Sequence, residues 1–287
     1  MAHAMGVDYI EQDAILTRDN ALIVLHDLFL DAVTDVAERF AGRERQDGHF
    51  YAIDFDLDEI RSLCVHERQT ADGTAAFAGR FPPEEKIFRV PTLEEELQLI
   101  RGLNQSRGKD VGIYIEPKSP SWHQQQGRDI MRDVLSCLET SGYRLRTDKA
   151  ILQSFDFEHL LRCRTELDSD LKLVQLIGDN RWRESASDFD FLQTAEGLRE
   201  IATFADGIGP WLMQLLDIRE NGDIEPTSLV SLAHGSGLFV HGYTLRADQL
   251  PVEAGTLEDA LGLLAHRVGL DGVFTDHPDR VVRWRNE

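Results

Sequence analysis

The chain has 287 residues and a formal net charge of −21, with 51 Asp and Glu against 30 Lys and Arg. So acidic a chain argues against a nucleic-acid surface, and no apolar run approaches the ~20 residues that span a bilayer, so no stable membrane insertion is expected. Cys64, Cys137 and Cys163 show no C-x-x-C spacing, which argues against zinc and a disulfide framework, and the hydrophobic content of 42% fits one large α/β domain as well as two smaller ones.

Apolar strand-like runs alternate with helix-like segments. The first strand is expected over Val7–Gln12. Ala14–Asp27 reads as a hairpin, because Arg18-Asp19-Asn20 is a polar turn between Ala14-Ile15-Leu16 and Leu22-Ile23-Val24-Leu25. Leu28 to about Pro91 breaks the rhythm and reads as an insertion on a loop, capping the active-site face. Further strands are expected at Gly112–Glu116, Ala150–Ser154, Lys172–Ile177, Ala205–Ile208, Leu238–Tyr243 and Gly272–Thr275. Amphipathic helices are expected at Gly127–Glu139, Phe157–Glu166 and Leu257–Val268, the last with Leu257, Leu261, Leu264 and Val268 on one stripe. Gly178–Asp190, with Trp182 and Phe189, reads as an irregular rim. The alternation implies a parallel sheet.

Glu11 and Asp13 stand two apart on a strand, so both side chains aim into one space. Glu116 ends another strand as a third oxygen donor. Taken alone, the three are either exposed carboxylates paired with arginines or ligands of a hard cation such as Ca²⁺ or Mg²⁺. His26 follows an apolar strand and either packs there or moves protons. Asp27 either orients His26 or caps a turn. Lys118, one of five lysines, is a solvated loop cation or a phosphate-binding charge. Phe155 and Trp211 follow strands, where they pack the rim or line a pocket. Gly207, Gly209 and Pro210 read as a tight turn. His241, Asp276 and His277 read as turn-stabilising or ligand-supporting residues. There is no phosphate-cradling G-x-x-x-x-G-K-[ST], no G-x-G-x-x-G and no G-x-S-x-G elbow, which disfavours a nucleotide cofactor and a serine hydrolase.

An ordered set of motifs resembles the glycerophosphodiester phosphodiesterase family, in particular its larger periplasmic bacterial branch. The set is Asp8-Tyr9-Ile10-Glu11-Gln12-Asp13, Val24-Leu25-His26-Asp27, Val33-Thr34-Asp35-Val36, Tyr51-Ala52-Ile53-Asp54-Phe55, Gly79-Arg80-Phe81-Pro82 and Tyr114-Ile115-Glu116-Pro117-Lys118. It continues with Asp206-Gly207-Ile208-Gly209-Pro210, Val240-His241-Gly242-Tyr243-Thr244 and Phe274-Thr275-Asp276-His277-Pro278-Asp279.

The resemblance implies one domain over residues 1–287, a (β/α)₈ barrel with an insertion at about 28–91. It implies a divalent cation, Ca²⁺ or Mg²⁺, held by Glu11, Asp13 and Glu116, with His26 catalytic. Lys118 would touch the phosphate, and Phe155 and Trp211 the glycerol. The substrate would be a glycerophosphodiester, split into glycerol 3-phosphate and an alcohol such as choline or ethanolamine.

Family members begin their barrel with a strand ending in His-Arg-Gly. Here Met1-Ala2-His3-Ala4-Met5-Gly6 resembles the end of the helix after that strand, and His3 is not taken as a substitute. The expectation is therefore a barrel without its first strand, poorly stable and poorly active on its own. A misplaced start codon and a genuine truncation both account for it. The location is periplasmic by resemblance, or cytoplasmic if Met1 is the true start. Two alternatives remain: a non-catalytic barrel remnant, and a lysophospholipase D-type phosphodiesterase.

Overall fold

Runs of apolar and β-branched residues that are buried on both faces make the parallel strands of α/β folds. In this computed structural model, residues 1–70, 73–77, 79–80, 87–219, 223–251 and 255–287 are described. Phe81 and Pro82 of the Gly79–Pro82 motif lie outside them. The strands are β1 (Tyr9–Leu16), β2 (Leu22–Val24), β3 (Gly112–Pro117), β4 (Ala150–Ser154), β5 (Lys172–Ile177), β6 (Gly207–Pro210), β7 (Leu216–Ile218), β8 (Ile224–Pro226), β9 (Phe239–Leu245) and β10 (Gly272–Thr275). The chain divides into two compact units. The first holds Met1–Ile10, Gly108–Tyr114 and Tyr143–Glu287, and the second Glu11–Arg107 and Ile115–Gly142. Strands β1 and β3 run through both.

In the first unit the strand order is β10-β9-β6-β5-β4-β3-β1. The pairs β4–β5, β5–β6, β6–β9 and β9–β10 are parallel. Helices return the chain between them: Phe157–Thr165, Ala195–Ile201, Leu229–Gly235 and, after β10, Pro278–Asn286. Asp156 and Thr194 start two of these by accepting from the backbone N–H groups of His159 and Gly197. Tyr9, Tyr114, Ile151, Val174, Phe239 and Phe274 form one apolar layer, each from a different strand.

All seven expected parallel-type strands are present; Ala150–Ser154, Lys172–Ile177 and Gly272–Thr275 have the expected bounds, and the other four have shifted ends. β6 starts at Gly207 rather than Ala205 and runs to Pro210, so Gly207, Gly209 and Pro210, expected as a tight turn, lie in a strand; the Asp206 carboxylate beside it accepts from Arg164, Arg146 and the Leu173 N–H. The helix expected over Leu257–Val268 is α-helical to Gly262 and π-helical from Leu263 to Val268, a slip that an apolar stripe does not record. The antiparallel pair β7–β8 had no sequence signal long enough to read.

The second unit is built on the hairpin. β1 and β2 pair antiparallel in the register Ala14↔Val24, Ile15↔Ile23 and Leu16↔Leu22. Asn20 takes the left-handed conformation at φ 64°, which Asn tolerates, and the Thr17 hydroxyl donates to Asp19. β1 therefore runs on to Leu16 rather than ending at Gln12. The segment 28–91 is no bare loop. It forms short helices at Val36–Arg39, Ala52–Asp54 and Leu57–Ser62 around a core of Leu30, Val36, Phe50, Phe55, Ile60 and Leu63, into which the hairpin sends Ile15 and Ile23. Isolated antiparallel bridges, Thr34↔Val65, Val65↔Phe88 and Gln69↔Ala75, tie its later part together. The helix Leu93–Arg107 follows.

Gly207 owes its identity to space. A Cβ there would lie 2.4 Å from the Phe239 ring. Gly207→Ala should therefore cost roughly 1–3 kcal/mol by overpacking, read as a fall in the denaturant midpoint. Gly235→Ala, where no atom lies within 4 Å of the added Cβ, should leave the midpoint nearly unchanged. Equal midpoints for the two variants would contradict this packing.

Candidate metal and acid/base site

Every side chain of this cluster belongs to the second unit. Strand alternation puts Glu11 and Asp13 on one side of β1 and sends Gln12 to the other, where it is buried. Glu116 stands on β3. One oxygen from each of Glu11, Asp13 and Glu116 lies within 4.8 Å of the others, with Glu11 exposed, Asp13 half-buried and Glu116 buried. The sequence reading of these three as neighbours holds.

Lys118 comes two residues after Glu116 and is buried. Its N–H donates to the Ala14 carbonyl (3.0 Å), which sets the loop after β3 against β1. Its ammonium Nζ lies 2.7 Å from Glu116 Oε1 and 3.7 Å from Asp13 Oδ1. Burial pushes the Glu116 carboxyl above the ordinary carboxylate range, Lys118 draws it down, and Asp13 pushes it up again. One ammonium thus lies beside two of the three carboxylates. The set is all oxygen and of mixed exposure. Such a donor set fits a hard divalent cation.

His26 reaches the same strand ends through the hairpin. The Leu25 N–H donates to the Asp13 carbonyl at 3.0 Å, and His26 is the next residue. Its side chain is 61% exposed, and its Nδ1 lies 2.7 Å from Asp27 Oδ1. The other Asp27 oxygen accepts from Arg68 Nη1 at 2.6 Å. Burial pushes the Asp27 carboxyl up, but the bonds from His26 and Arg68 outweigh it and hold the group well below the usual range. Of the two roles the sequence left open for Asp27, contact with the His26 ring is the one observed.

Sequence reasoning missed Arg68, which lies 41 residues from Asp27 in no motif. It also missed His123, which is 1% exposed. The His123 Nδ1 lies 3.2 Å from the Ser119 carbonyl and its Nε2 accepts from the Leu16 N–H at 3.4 Å. The neutral ring thus ties the Lys118 loop to the end of β1.

Phe155 and Trp211 belong to the first unit. Phe155 stands edge-on to Phe189 and Tyr243, with ring centroids at 6.0 and 5.7 Å. Its carbonyl accepts from Gln175 Nε2, Ser185 Oγ and Ser187 Oγ at 2.8–3.1 Å. Trp211 packs on Trp182 at 5.1 Å. The irregular stretch 178–190 therefore supplies aromatic partners to both. His241 lies 3.3 Å from the Tyr114 hydroxyl, Asp276 pairs with Arg246 at 2.6 Å, and His277 accepts from the Ala247 N–H at 3.2 Å. His3 is buried on the helix Ala2–Met5 of the same unit.

Residues 1–280 match the glycerophosphoryl diester phosphodiesterase family. A glycerophosphodiester phosphodiesterase of Haemophilus influenzae is 40% identical over 99% of this chain and 83% of its own length. One of Treponema pallidum is 36% identical, covering 99% and 85%. Among solved structures, a putative glycerophosphoryl diester phosphodiesterase of Silicibacter pomeroyi has a TM-score of 0.68 at 24% identity, covering 98% of this chain and 84% of that one. A phosphodiesterase of Oleispira antarctica, solved with the product sn-glycerol-3-phosphate, has a TM-score of 0.63 at 18% identity, covering 99% and 87%. The chain belongs to the glycerophosphoryl diester phosphodiesterase family, is an enzyme of that class, and has the α/β fold of its TIM-barrel members. Among the described residues, no helix is long and apolar enough to cross a membrane.

Burial lowers the pKa of His123 from 6.5 to about 4, and His241 likewise. Between these values the unfolded chain binds protons that the folded one does not, so stability falls as pH falls through that window. The limit is about 1.4 kcal/mol per pH unit per group. The melting temperature should drop from pH 6.5 to pH 4. His123→Gln should melt lower at pH 7 but decline less steeply. Parallel declines in the two proteins would remove His123 from this account.

Proposed function

We propose, from membership of this family, that the chain hydrolyses glycerophosphodiesters to glycerol 3-phosphate and an alcohol, with a divalent cation at Glu11, Asp13 and Glu116. The observation that carries the reading is the three-carboxylate cluster beside a buried Lys118, with His26 one residue from a bond to the Asp13 backbone. Three acids packed this closely repel one another, and a cation relieves that repulsion.

Bound there, Ca²⁺ or Mg²⁺ would act as a Lewis acid toward phosphoryl and glycerol oxygens. Lys118 places a fixed ammonium where negative charge develops on a phosphoryl oxygen. Because it already lies 2.7 Å from Glu116, little reorganisation is needed. With Nδ1 held by Asp27, His26 serves through its other ring nitrogen as one half of an acid/base pair. The resemblance assigns the other half to a His-Arg-Gly strand, and no residue of this cluster fills that role. Phe155 and Trp211 are carried as glycerol-contacting residues on the resemblance alone. A periplasmic place of work follows from the likeness of the motif set to that branch.

Metal binding is measured by calorimetric titration with Ca²⁺ and Mg²⁺. Glu11→Gln and Glu116→Gln should each weaken binding about tenfold or more, whereas Asp27→Asn should change it less. That factor corresponds to the ~1.4 kcal/mol scale on which charged ligands act. Affinities equal to wild type in both Gln variants would sink the assignment.

Activity is measured by release of glycerol 3-phosphate from glycerophosphocholine and glycerophosphoethanolamine, and EDTA should stop it. His26→Ala should cost ~10²–10⁴-fold. Full turnover in His26→Ala would take His26 out of the reaction.

A further inference from the structure

We infer that Arg68, from the inserted segment, is a positioning residue for His26: it anchors the Asp27 carboxylate that fixes which ring nitrogen of His26 carries the proton. The inference rests on the reading of His26 as an acid/base group.

Neighbouring residues on an extended chain point to opposite sides. A bond between His26 and Asp27 therefore needs a bent backbone and a carboxylate that stays put. The backbone bends at His26–Leu28. The carboxylate is divided between two partners: Oδ1 lies 2.7 Å from His26 Nδ1, and Oδ2 lies 2.6 Å from Arg68 Nη1. An ionised carboxylate only accepts, so Nδ1 of the neutral ring must carry the hydrogen. Nε2 is left with its lone pair. Asp27 is 15% exposed and His26 61%, so the mobile ring is held from its buried end.

Arg68 is itself fixed by its backbone. The Ala76 N–H donates to the Arg68 carbonyl at 2.7 Å, the Gln69 N–H to the Ala32 carbonyl at 2.8 Å, and the His66 N–H to the Val33 carbonyl at 2.9 Å. Ala32 and Val33 lie only five and six residues after Asp27. The chain thus leaves the acid/base dipeptide, builds a small ladder, and returns one guanidinium to it. An arginine keeps its charge at every working pH and stays a donor. The insertion then supports the proton-transfer group directly, which is more than capping a loop.

The test reads the tautomer of His26 by ¹⁵N NMR of the imidazole in residues 1–287, at a pH where the ring is neutral. Wild type should show the Nδ1–H form. Arg68→Gln should show a mixture of both tautomers, and Arg68→Lys should restore most of the Nδ1–H form. Asp27→Asn with Arg68→Gln should look like Asp27→Asn alone, since both act on one bond. In the protein that turns over glycerophosphocholine, Arg68→Gln should lower kcat about tenfold with KM within twofold, a fraction of what acid–base catalysis supplies. A single Nδ1–H form retained in a cooperatively folded Arg68→Gln protein would overturn the proposal, as would a kcat within twofold of wild type. Absence of glycerol 3-phosphate release with the Nδ1–H form intact would count against the proposed function and leave the positioning standing.

Discussion

The buried contact between Lys118 and Glu116 is the constraint around which the second unit is arranged. Taking either charge out of water alone is costly, and removing one partner leaves the other unpaired. The pair persists because backbone bonds hold it: the Lys118 N–H on the Ala14 carbonyl, and the His123 ring between Ser119 and Leu16. The same bonds set β3 beside the acidic face of β1. Asp13 is thereby 3.7 Å from the ammonium. The hairpin turns on that strand, and its first backbone bond after β2 delivers His26. A chain of local requirements thus ends in one cluster of opposite charges.

Charge balance sets what the cluster does. Lys118 offsets part of the charge of Glu116 and Asp13. A divalent cation held there would offset the remaining carboxylate charge, and charges of the chain more than about 8–10 Å away are screened. Asp27 shows the opposite balance. It has two partners, so it stays ionised and serves as a fixed acceptor.

Much of this was legible. The i, i+2 acids of β1, the third acid at the end of β3 and the polar turn at Arg18–Asn20 need only strand alternation and turn chemistry to be read. The parallel strands also show themselves, being apolar through both faces. Three things were hidden. β6 carries Gly207, Gly209 and Pro210, residue types that read as a turn. The π-helical turn at Leu263 keeps an ordinary helical stripe. Arg68 and His123 act through partners 41 and 107 residues distant, and no spacing rule covers that. Segment 28–91 was read as irregular because its described helices are three to six residues long, too short to show a period.

That segment has its core in common with the hairpin: Ile15 and Ile23 are buried among its side chains. It therefore cannot behave as a detachable ornament in descent. A lineage that lost it would expose two isoleucines on the strand pair that carries Asp13 and His26, and would have to recolour that face with polar residues in the same period of change. Relatives lacking the segment should carry polar residues at both positions, so the hairpin's inward pair is a marker by which the two lineages are told apart.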